Sequence, residues 1–256
     1  MNLRNEVNLI KDQIISWRRY FHENPEISFK EFNTAKKINL ELKSMGLKPK
    51  TKVARTGVTV DLKFGEGPVI GFRADMDALP IQETSGLPFT SKNDGVMHAC
   101  GHDGHIAMLL GTAKIMSQKN NQYQGTIRFI FQPAEEGEGG ARYMIEDGCL
   151  DGLDEIYGIH LWNYQPFGEV GIKSGPVMAS ADMFDITIKG IGGHGAAPQG
   201  TVDAIIVASN LIQALQTIVS RNTNPLDSTV VSIGKINGGH NFNICLVYTS
   251  PSPRDH

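Results

Sequence analysis

Apolar residues at the start of the chain recur at the spacing of an amphipathic helix. Six of them place one apolar face along residues 3–22, namely Leu3, Val7, Ile10, Ile14, Trp17 and Phe21. This helix is predicted to end before Pro25, because a residue that precedes proline disfavours the helical conformation. His22 and Glu26 lie at this end, where a structural role is expected rather than a functional one. A second helix is predicted over residues 29–45.

Short apolar runs separated by helical segments predict a sheet in the next part of the chain. Strands are predicted at Gly57–Lys63, Val69–Arg73, Gly125–Phe131 and Glu155–Ile159, and helices from Ile106 onward and around residues 139–147. Because strands alternate with helices, the expected fold class is α/β, with a mostly parallel sheet flanked by helices.

The pattern changes after about Gly175. Met183–Lys189 alternates apolar and polar side chains, as an antiparallel strand with one solvated face does. A strong amphipathic helix is predicted over residues 202–219 and a further strand over Ser228–Gly234. This order predicts a small α+β domain that follows the main sheet.

These changes define three segments. The main domain is expected over residues 1–175 and the small domain over residues 176–244. Residues 245–256 contain two prolines and no periodicity. We expect this last segment to be a non-native tail that contributes nothing to the fold.

Polar side chains follow three of the predicted strands. Asp75 and Asp77 come after the strand at 69–73, and the paired glutamates Glu135 and Glu136 come after the strand at 125–131; His160 directly follows Ile159. Ligands in open α/β sheets bind outside the carboxyl ends of the strands. The sequence therefore predicts a functional site at this edge.

A cluster of metal-binding residue types lies between two of these strands. The eight residues from His98 to His105 contain three histidines, one cysteine and one aspartate, next to a predicted helix start. Cys100 and His102 are separated only by Gly101, which lets the backbone bend so that both can face one ion. Zinc, cobalt, nickel and manganese bind such mixtures of sulfur, nitrogen and oxygen ligands. The structural alternative is a polar loop with a buried thiol and solvated histidines.

Composition narrows the class of protein. The chain has 256 residues, 40% of them apolar, and a net charge of −3. Acidic and basic residues are interspersed, so neither nucleic acid nor a membrane is an expected partner. The apolar runs are too short to span a bilayer, and the first residues lack the apolar core of a signal peptide. Three cysteines form no paired framework, so a cytoplasmic location is expected.

The motifs together resemble the aminoacylase/carboxypeptidase-like metallohydrolases. The resemblance is closest to the amidohydrolase branch of hippurate hydrolase, indole-acetyl-amino-acid hydrolases and N-acetyl-diaminopimelate deacetylase. The matching segments follow the family's order and are Phe21–Glu26, Arg73–Pro80, His98–His105, Gln132–Gly137, Gly158–Trp162 and Gly192–Pro198. The resemblance implies hydrolysis of the amide bond of small N-acyl amino acids.

The resemblance also implies a site for two divalent metal ions, with zinc or manganese favoured and cobalt or nickel compatible. Cys100, His102, Glu136 and His160 occupy the positions of metal ligands. Glu135 occupies the position of the general base. Since one glutamate is bound to metal, its neighbour would carry the proton from a metal-activated water to the leaving amine.

Four further residues take supporting roles by the same resemblance. Asp75 and Asp77 would hold the ligands in orientation. His194 would stabilise the tetrahedral oxyanion from a lid domain that also forms a homodimer, and Asn243 would lie near the substrate carboxylate.

The resemblance ends near Cys245, whereas the family continues beyond the lid. We therefore expect a truncated chain whose remaining metal ligand lies outside this sequence. Three alternatives stay open: a fragment that binds metal without turnover, a two-metal dipeptidase or carboxypeptidase, and a thiol amidase. The thiol amidase would use Cys100 as nucleophile with His102 or His105 as base and Glu135 as partner.

Overall fold

The computed structural model describes residues 3–119, 123–239 and 244–245. The chain divides into two compact units, Met1–Gly171 and Ile172–His256. The helices of the first unit are α1 (Leu3–Leu9), α2 (Lys11–Glu23), α3 (Phe32–Ser44), α4 (His102–Ser117) and α5 (Gly140–Glu146). Its strands are β1 (Lys50–Val53), β2 (Gly57–Lys63), β3 (Val69–Asp75), β4 (Thr126–Gln132) and β5 (Glu155–Gly158).

The five strands form one mixed sheet in the order β1-β2-β4-β3-β5. Strand β2 runs antiparallel to both β1 and β4. Strand β3 runs parallel to β4 on one side and to β5 on the other. The prediction of a mostly parallel sheet is therefore only partly right. The missed strand β1 joins β2 through a tight turn, and tight turns produce antiparallel neighbours, whereas parallel pairs need long crossovers.

Helices cover both faces of this sheet. Successive side chains of β4 point to opposite faces and pack against different helices. Phe129 and Phe131 are fully buried in the main core, together with residues of α2, α3 and α4. Ile130 points to the opposite face and packs in a smaller cluster with Met144 of α5 and with Cys149. Burial of each such side chain contributes about 1.5–3 kcal/mol. The sheet is thus fixed from both sides.

The first predicted helix is interrupted in the structure. A turn at Ile10 separates α1 from α2, where the Ile10 N–H donates to the Val7 carbonyl oxygen at 3.1 Å. The apolar spacing of residues 3–22 runs through this turn unchanged. Periodicity alone therefore could not locate the break.

The second unit contains the strands β6 (Gly193–His194) and β7 (Ile244–Cys245), which pair antiparallel. Between them lie a short 3-10 helix (Pro198–Gly200), helix α6 (Ala204–Thr217) and a π-helical turn (Ile218–Asn222). The carboxylate of Asp203 caps α6 by accepting from two of its N–H groups. By length and composition alone, Ala204–Asn222 is apolar enough to cross a membrane, although a single helix of this kind is weak evidence.

Two strands predicted for the small domain are wrong. Within the described part of the chain, Met183–Lys189 and Ser228–Gly234 are not in β-strands. Alternation of side chains specifies the two faces of an extended segment, but a strand also needs a partner for its backbone hydrogen bonds. The helix predicted over residues 202–219 is present.

Candidate metal centre

The carboxyl ends of three parallel strands meet at one edge of the sheet. In the pairing register, Asp75 at the end of β3 lies beside Gln132 at the end of β4, and Arg73 lies beside Gly158 at the end of β5. The segments that follow these strands carry Asp77, the two glutamates and His160. Helix α4 begins at His102, close to the same edge.

His102 lies at the centre of this arrangement and is fully buried. Its Nδ1–H donates to the backbone oxygen of Asp77 at 2.8 Å, which leaves the Nε2 lone pair on the opposite side of the ring. Nε2 lies 3.6 Å from Asp75 Oδ2, 3.7 Å from Glu136 Oε1 and 3.8 Å from Glu135 Oε2. The ring is therefore oriented toward three carboxylates.

Among the groups that surround His102 Nε2, two buried atoms lack a hydrogen-bond partner among the described residues. They are His102 Nε2 and Glu136 Oε1, which face each other. A buried polar atom without a partner costs about 1–3 kcal/mol. When the His102 ring is neutral both atoms are electron-pair donors, and a bound cation would then satisfy both at once. The donor set therefore fits a metal ion.

Cys100 and His160 extend the cluster toward solvent. The Cys100 Sγ lies 3.4 Å from His160 Nε2, and His160 Nδ1–H donates to the Leu161 carbonyl oxygen at 2.6 Å. The backbone thus fixes the same tautomer in His160 as in His102, with Nε2 available as a ligand. Cys100, His102 and His160 offer ligand atoms within 4.8 Å of one another, and so do His102, Glu135 and Glu136.

His105 is part of the same helix start, but its ring nitrogens are both engaged. The Leu161 N–H donates to His105 Nε2 at 2.8 Å, and His105 Nδ1–H donates to Asp75 Oδ1 at 2.5 Å. Arg73 donates to the other oxygen of Asp75 at 2.6 Å. Burial raises the pKa of Asp75, but the His105 hydrogen bond and the Arg73 charge outweigh it and lower the pKa to about 2. Sequence reasoning gave His105 no supporting role, although its spacing of three residues from His102 was a signal.

The carboxylate of Asp77 binds the backbone of the glutamate pair. Its Oδ1 accepts from the Glu135 N–H and its Oδ2 from the Glu136 N–H, both at 3.0 Å. The Ser28 hydroxyl donates to Oδ2 at 2.8 Å. Burial raises the pKa of Asp77, but the hydrogen bonds from His102 and from these two amides lower it overall. An ionised Asp77 therefore sets where the two glutamates lie.

The electrostatics of Glu135 and Cys100 differ from those of Asp75 and Asp77. Burial, together with the charge of Glu136, raises the pKa of Glu135, whose side chain is 40% exposed. Burial and the hydrogen bond to Glu136 raise the pKa of the Cys100 thiol to about 12. With protein groups alone around it, the Cys100 thiol therefore favours its protonated form.

A buried ion network lies behind the start of α4. His22 Nδ1 is 2.7 Å from Asp103 Oδ2 and His22 Nε2 is 3.1 Å from Glu83 Oε1, so both ring nitrogens face carboxylates. The hydrogen bond to Asp103 outweighs burial and raises the pKa of His22. The structural role expected for His22 thus extends to Asp103, the residue after His102, and to Glu83. Sequence reasoning did not identify these two acidic partners, since neither lies near His22 in the sequence.

The other predicted residues lie apart from this edge in the sequence. His194 lies in β6 of the second unit, where its Nδ1 accepts from the Ala196 N–H at 3.1 Å. Asn243 and most of the predicted tail lie outside the described residues. The roles expected of His194 and Asn243, and the expectation that residues 245–256 form a non-native tail, stay predictions.

Comparison with known proteins identifies the family. The sequence profile of peptidase family M20/M25/M40 matches residues 71–250. The chain therefore belongs to this family, and the resemblance inferred from its motifs is confirmed.

Three relatives in sequence are amide hydrolases. N-acetyl-L-cysteine deacetylase of Bacillus subtilis is 49% identical over 243 residues, which cover 94% of this chain and 58% of that protein. Hippurate hydrolase of Campylobacter jejuni is 48% identical over 248 residues, 95% of this chain and 64% of that protein. An IAA-amino acid hydrolase of Arabidopsis thaliana is 48% identical over 233 residues, 91% and 53% respectively. The chain spans between about half and two thirds of the length of these relatives.

Two solved structures are similar to this chain in both sequence and fold. A candidate aminohydrolase from methicillin-resistant Staphylococcus aureus is 37% identical with a TM-score of 0.79, and the match covers 96% of this chain and 66% of that one. A Bacillus subtilis protein named as a dinuclear metal binding peptidase of the M20 family is 47% identical with a TM-score of 0.65, covering 68% of this chain and 49% of that one.

Proposed function

We propose that the chain carries the metal site of an amidohydrolase that cleaves N-acyl amino acids. The observation that carries this proposal is the pair of buried, mutually facing atoms, His102 Nε2 and Glu136 Oε1, beside the Cys100–His160 contact. The names of the similar proteins support the substrate class, since they include deacetylases and hydrolases of acylated amino acids.

Four residues would hold two divalent ions, namely Cys100, His102, Glu136 and His160. The mixture of sulfur, nitrogen and oxygen donors suits zinc or manganese, and cobalt or nickel as well. When bound, the ions supply Lewis acidity that acidifies water and polarises a carbonyl group. Asp77 keeps Glu136 and His102 oriented through its hydrogen bonds to them, and Asp75 binds His105 beside them.

Glu135 is the residue that moves the proton. Its side chain is partly exposed next to the ligand cluster, and its raised pKa brings it nearer to the operating pH of a general base. It accepts a proton from water as the water oxygen bonds to the amide carbon. It then donates that proton to the amine nitrogen as the C–N bond breaks, which yields a carboxylic acid and an amine.

Four finer assignments complete the proposal. His194 would stabilise the oxyanion, and Asn243 would bind the substrate carboxylate. The second unit would form the lid and a homodimer, as the resemblance implies. A cytoplasmic location is proposed because the described cysteines Cys100 and Cys149 are free thiols, which a reducing compartment preserves.

The geometry disfavours the thiol amidase. A nucleophilic cysteine needs a lowered pKa, whereas burial and the neighbouring carboxylates raise the pKa of Cys100 to about 12. A thiol mechanism also assigns no role to Glu136 Oε1, the buried oxygen that has no hydrogen-bond partner among the described residues. The similar proteins of high identity are amidohydrolases and deacetylases, which favours the acyl-amino-acid branch over a dipeptidase.

The proposal is tested by metal content and turnover of the chain and of one matched variant. Mass spectrometry of chain purified without chelator should find bound zinc or manganese, and N-acetyl or N-benzoyl amino acids should be hydrolysed. Glu135→Gln should keep the metal and lose at least about 10²-fold in kcat. Metal without turnover in the unmodified chain would indicate the inactive fragment, and no metal after reconstitution would refute the site.

A further inference from the structure

Residues 134–136 include the two glutamates of the site. Their three consecutive backbone N–H groups all donate to buried carboxylates. The Ala134 N–H donates to Glu31 Oε1 at 2.9 Å. The next two N–H groups, those of Glu135 and Glu136, donate to the two oxygens of Asp77. Asp77 was anticipated from the sequence, but Glu31 was not. Glu31 comes from the start of α3, far from this turn in the sequence.

Glu31 is fully buried, and its carboxylate joins two parts of the unit. Among described residues it makes no side-chain hydrogen bond that caps α3, the helix it precedes. Instead Oε2 accepts from the Thr56 hydroxyl at 2.6 Å, in the turn before β2, while Oε1 accepts from Ala134 after β4. Burial raises the pKa of Glu31, so keeping this carboxyl group inside has a cost.

The residue that Glu31 binds has a strained backbone. Ala134 has φ of +51°, in the left-handed region, which costs an L-residue other than glycine about 1–2 kcal/mol. Its side chain is fully buried, and its carbonyl oxygen accepts from the Gly140 N–H at 2.9 Å. This conformation reverses the chain after β4, so that Glu135 and Glu136 come within 4 Å of His102 Nε2.

We propose that Glu31 is a positioning residue whose carboxylate holds Ala134 in the left-handed conformation and thereby aims Glu135 and Glu136 at His102. This inference rests on the proposed function insofar as Glu136 binds metal and Glu135 moves the proton. Without the Glu31 acceptor, Ala134 relaxes toward a right-handed backbone, and the two glutamates turn away from His102.

Zinc affinity of three variants, measured by competition with a chromophoric chelator, provides the first test. Glu31→Met removes the acceptor at similar volume and should weaken zinc binding by about 10–100-fold, as loss of a supporting hydrogen bond does at metal sites. Glu31→Gln keeps an oxygen for the Ala134 N–H and should bind zinc like the wild type. Ile38→Ala, which opens a cavity in the core beneath α3, is the control and should lower stability without lowering affinity. Unchanged affinity in a folded Glu31→Met chain overturns the proposal.

A second change separates positioning from general stability. Glycine adopts positive φ freely, so Ala134→Gly in the Glu31→Met background should restore most of the lost affinity. A folded double variant with affinity as weak as Glu31→Met overturns the proposal. Should Glu31→Met alone not fold, the double variant is compared with the wild type instead: similar zinc affinity supports the proposal, and a folded double variant that binds zinc at least about 10-fold more weakly overturns it.

Amide hydrogen exchange across residues 134–136 gives a readout that needs no metal. Protection of these amides should fall in Glu31→Met and persist in Glu31→Gln; equal protection in both overturns the positioning role. This measurement stands even if the wild-type chain binds no zinc. In that case the proposed function fails, and the exchange data still decide the role of Glu31.

Discussion

The candidate centre has two halves that differ in how firmly the fold holds them. The inner half consists of Asp75, Asp77, His102 and His105, each at most 2% exposed. The outer half consists of Cys100, Glu135 and His160, which are partly or largely exposed. Each side chain of the inner half is tied by hydrogen bonds to backbone or to another buried residue. The comparison indicates that burial and hydrogen bonds constrain the side chains of the inner half more than those of the outer half.

Because of this difference, substitutions in the two halves should change the free energy of unfolding by different amounts. A buried group that loses its partner leaves other groups unsatisfied away from water, and the free energy of unfolding falls. An exposed ligand that is removed is replaced by water at little cost in stability. Substitutions in the inner half should therefore reduce stability and binding together, and those in the outer half only binding.

The largest effect is expected for Asp77→Ala. The change removes the acceptor for two backbone amides and for the Ser28 hydroxyl, and leaves buried His102 without its nearby charge. The free energy of unfolding, measured by urea denaturation, should fall by about 3–5 kcal/mol. Asp61→Ala, which removes a carboxylate paired with Arg128 near the surface, should cost less than about 1 kcal/mol. Similar losses in both would mean that the inner half is not specially held.

A smaller and pH-dependent effect is expected for His22→Gln, which tests the support behind α4. The pKa of His22 is raised in the folded state from its usual 6.5, so its contribution to stability is complete below about pH 6.5 and is lost as the pH rises through the folded-state value. Below pH 6.5 the variant should be less stable by about 1–3 kcal/mol, because two hydrogen bonds to charged groups are lost.

Urea denaturation of both proteins at a series of pH values from 5.5 to about 9 checks this expectation. The difference between wild type and His22→Gln should shrink as the pH rises. A difference that stays constant across the series would show that His22 is not charged in the folded state.

The smallest effect on stability is expected for Cys100→Ser in the outer half. Stability should change by no more than about 0.5 kcal/mol. Zinc affinity should nevertheless fall by at least about tenfold, since a hydroxyl replaces a thiolate ligand. Cys149→Ser is the matched control: this buried thiol packs with Met144 and Ile130, so the change should cost stability and leave affinity unchanged. Wild-type zinc binding by Cys100→Ser would remove Cys100 from the ligand set.

The sequence predicted strands β2 to β5 well because each contains a short apolar run or an alternation of apolar residues. The predicted bounds of β2 match the structure, and those of β3, β4 and β5 differ by one or two residues. The rule about strand ends then placed Asp75, Glu135 and His160 at one edge without any coordinates. Strand β1 was missed because its sequence, Lys-Thr-Lys-Val, is mostly polar and exposed, so that pairing with β2 makes it a strand.

Other parts of the site could not be predicted because they depend on contacts between distant residues. His105 supports Asp75 only because the Leu161 N–H occupies its other nitrogen. Glu31 is proposed to support the glutamates through the left-handed backbone conformation of Ala134. An alanine in a sequence gives no indication of that conformation. Sequence patterns identify which residue types gather at an edge. They do not identify which atoms are already engaged.

The topology of the sheet also determines when the centre can exist during biosynthesis. The Asp77–Glu135 contact joins residues 58 apart and the Cys100–His160 contact residues 60 apart. Non-local pairings of this kind form slowly, because chain entropy is lost before the contacts are gained. As a ribosome extends the chain, His102 is made well before Glu135 and His160, and the proposed metal ligands meet only after β5 has joined β3. Pairing of the strands therefore has to precede completion of the proposed metal site.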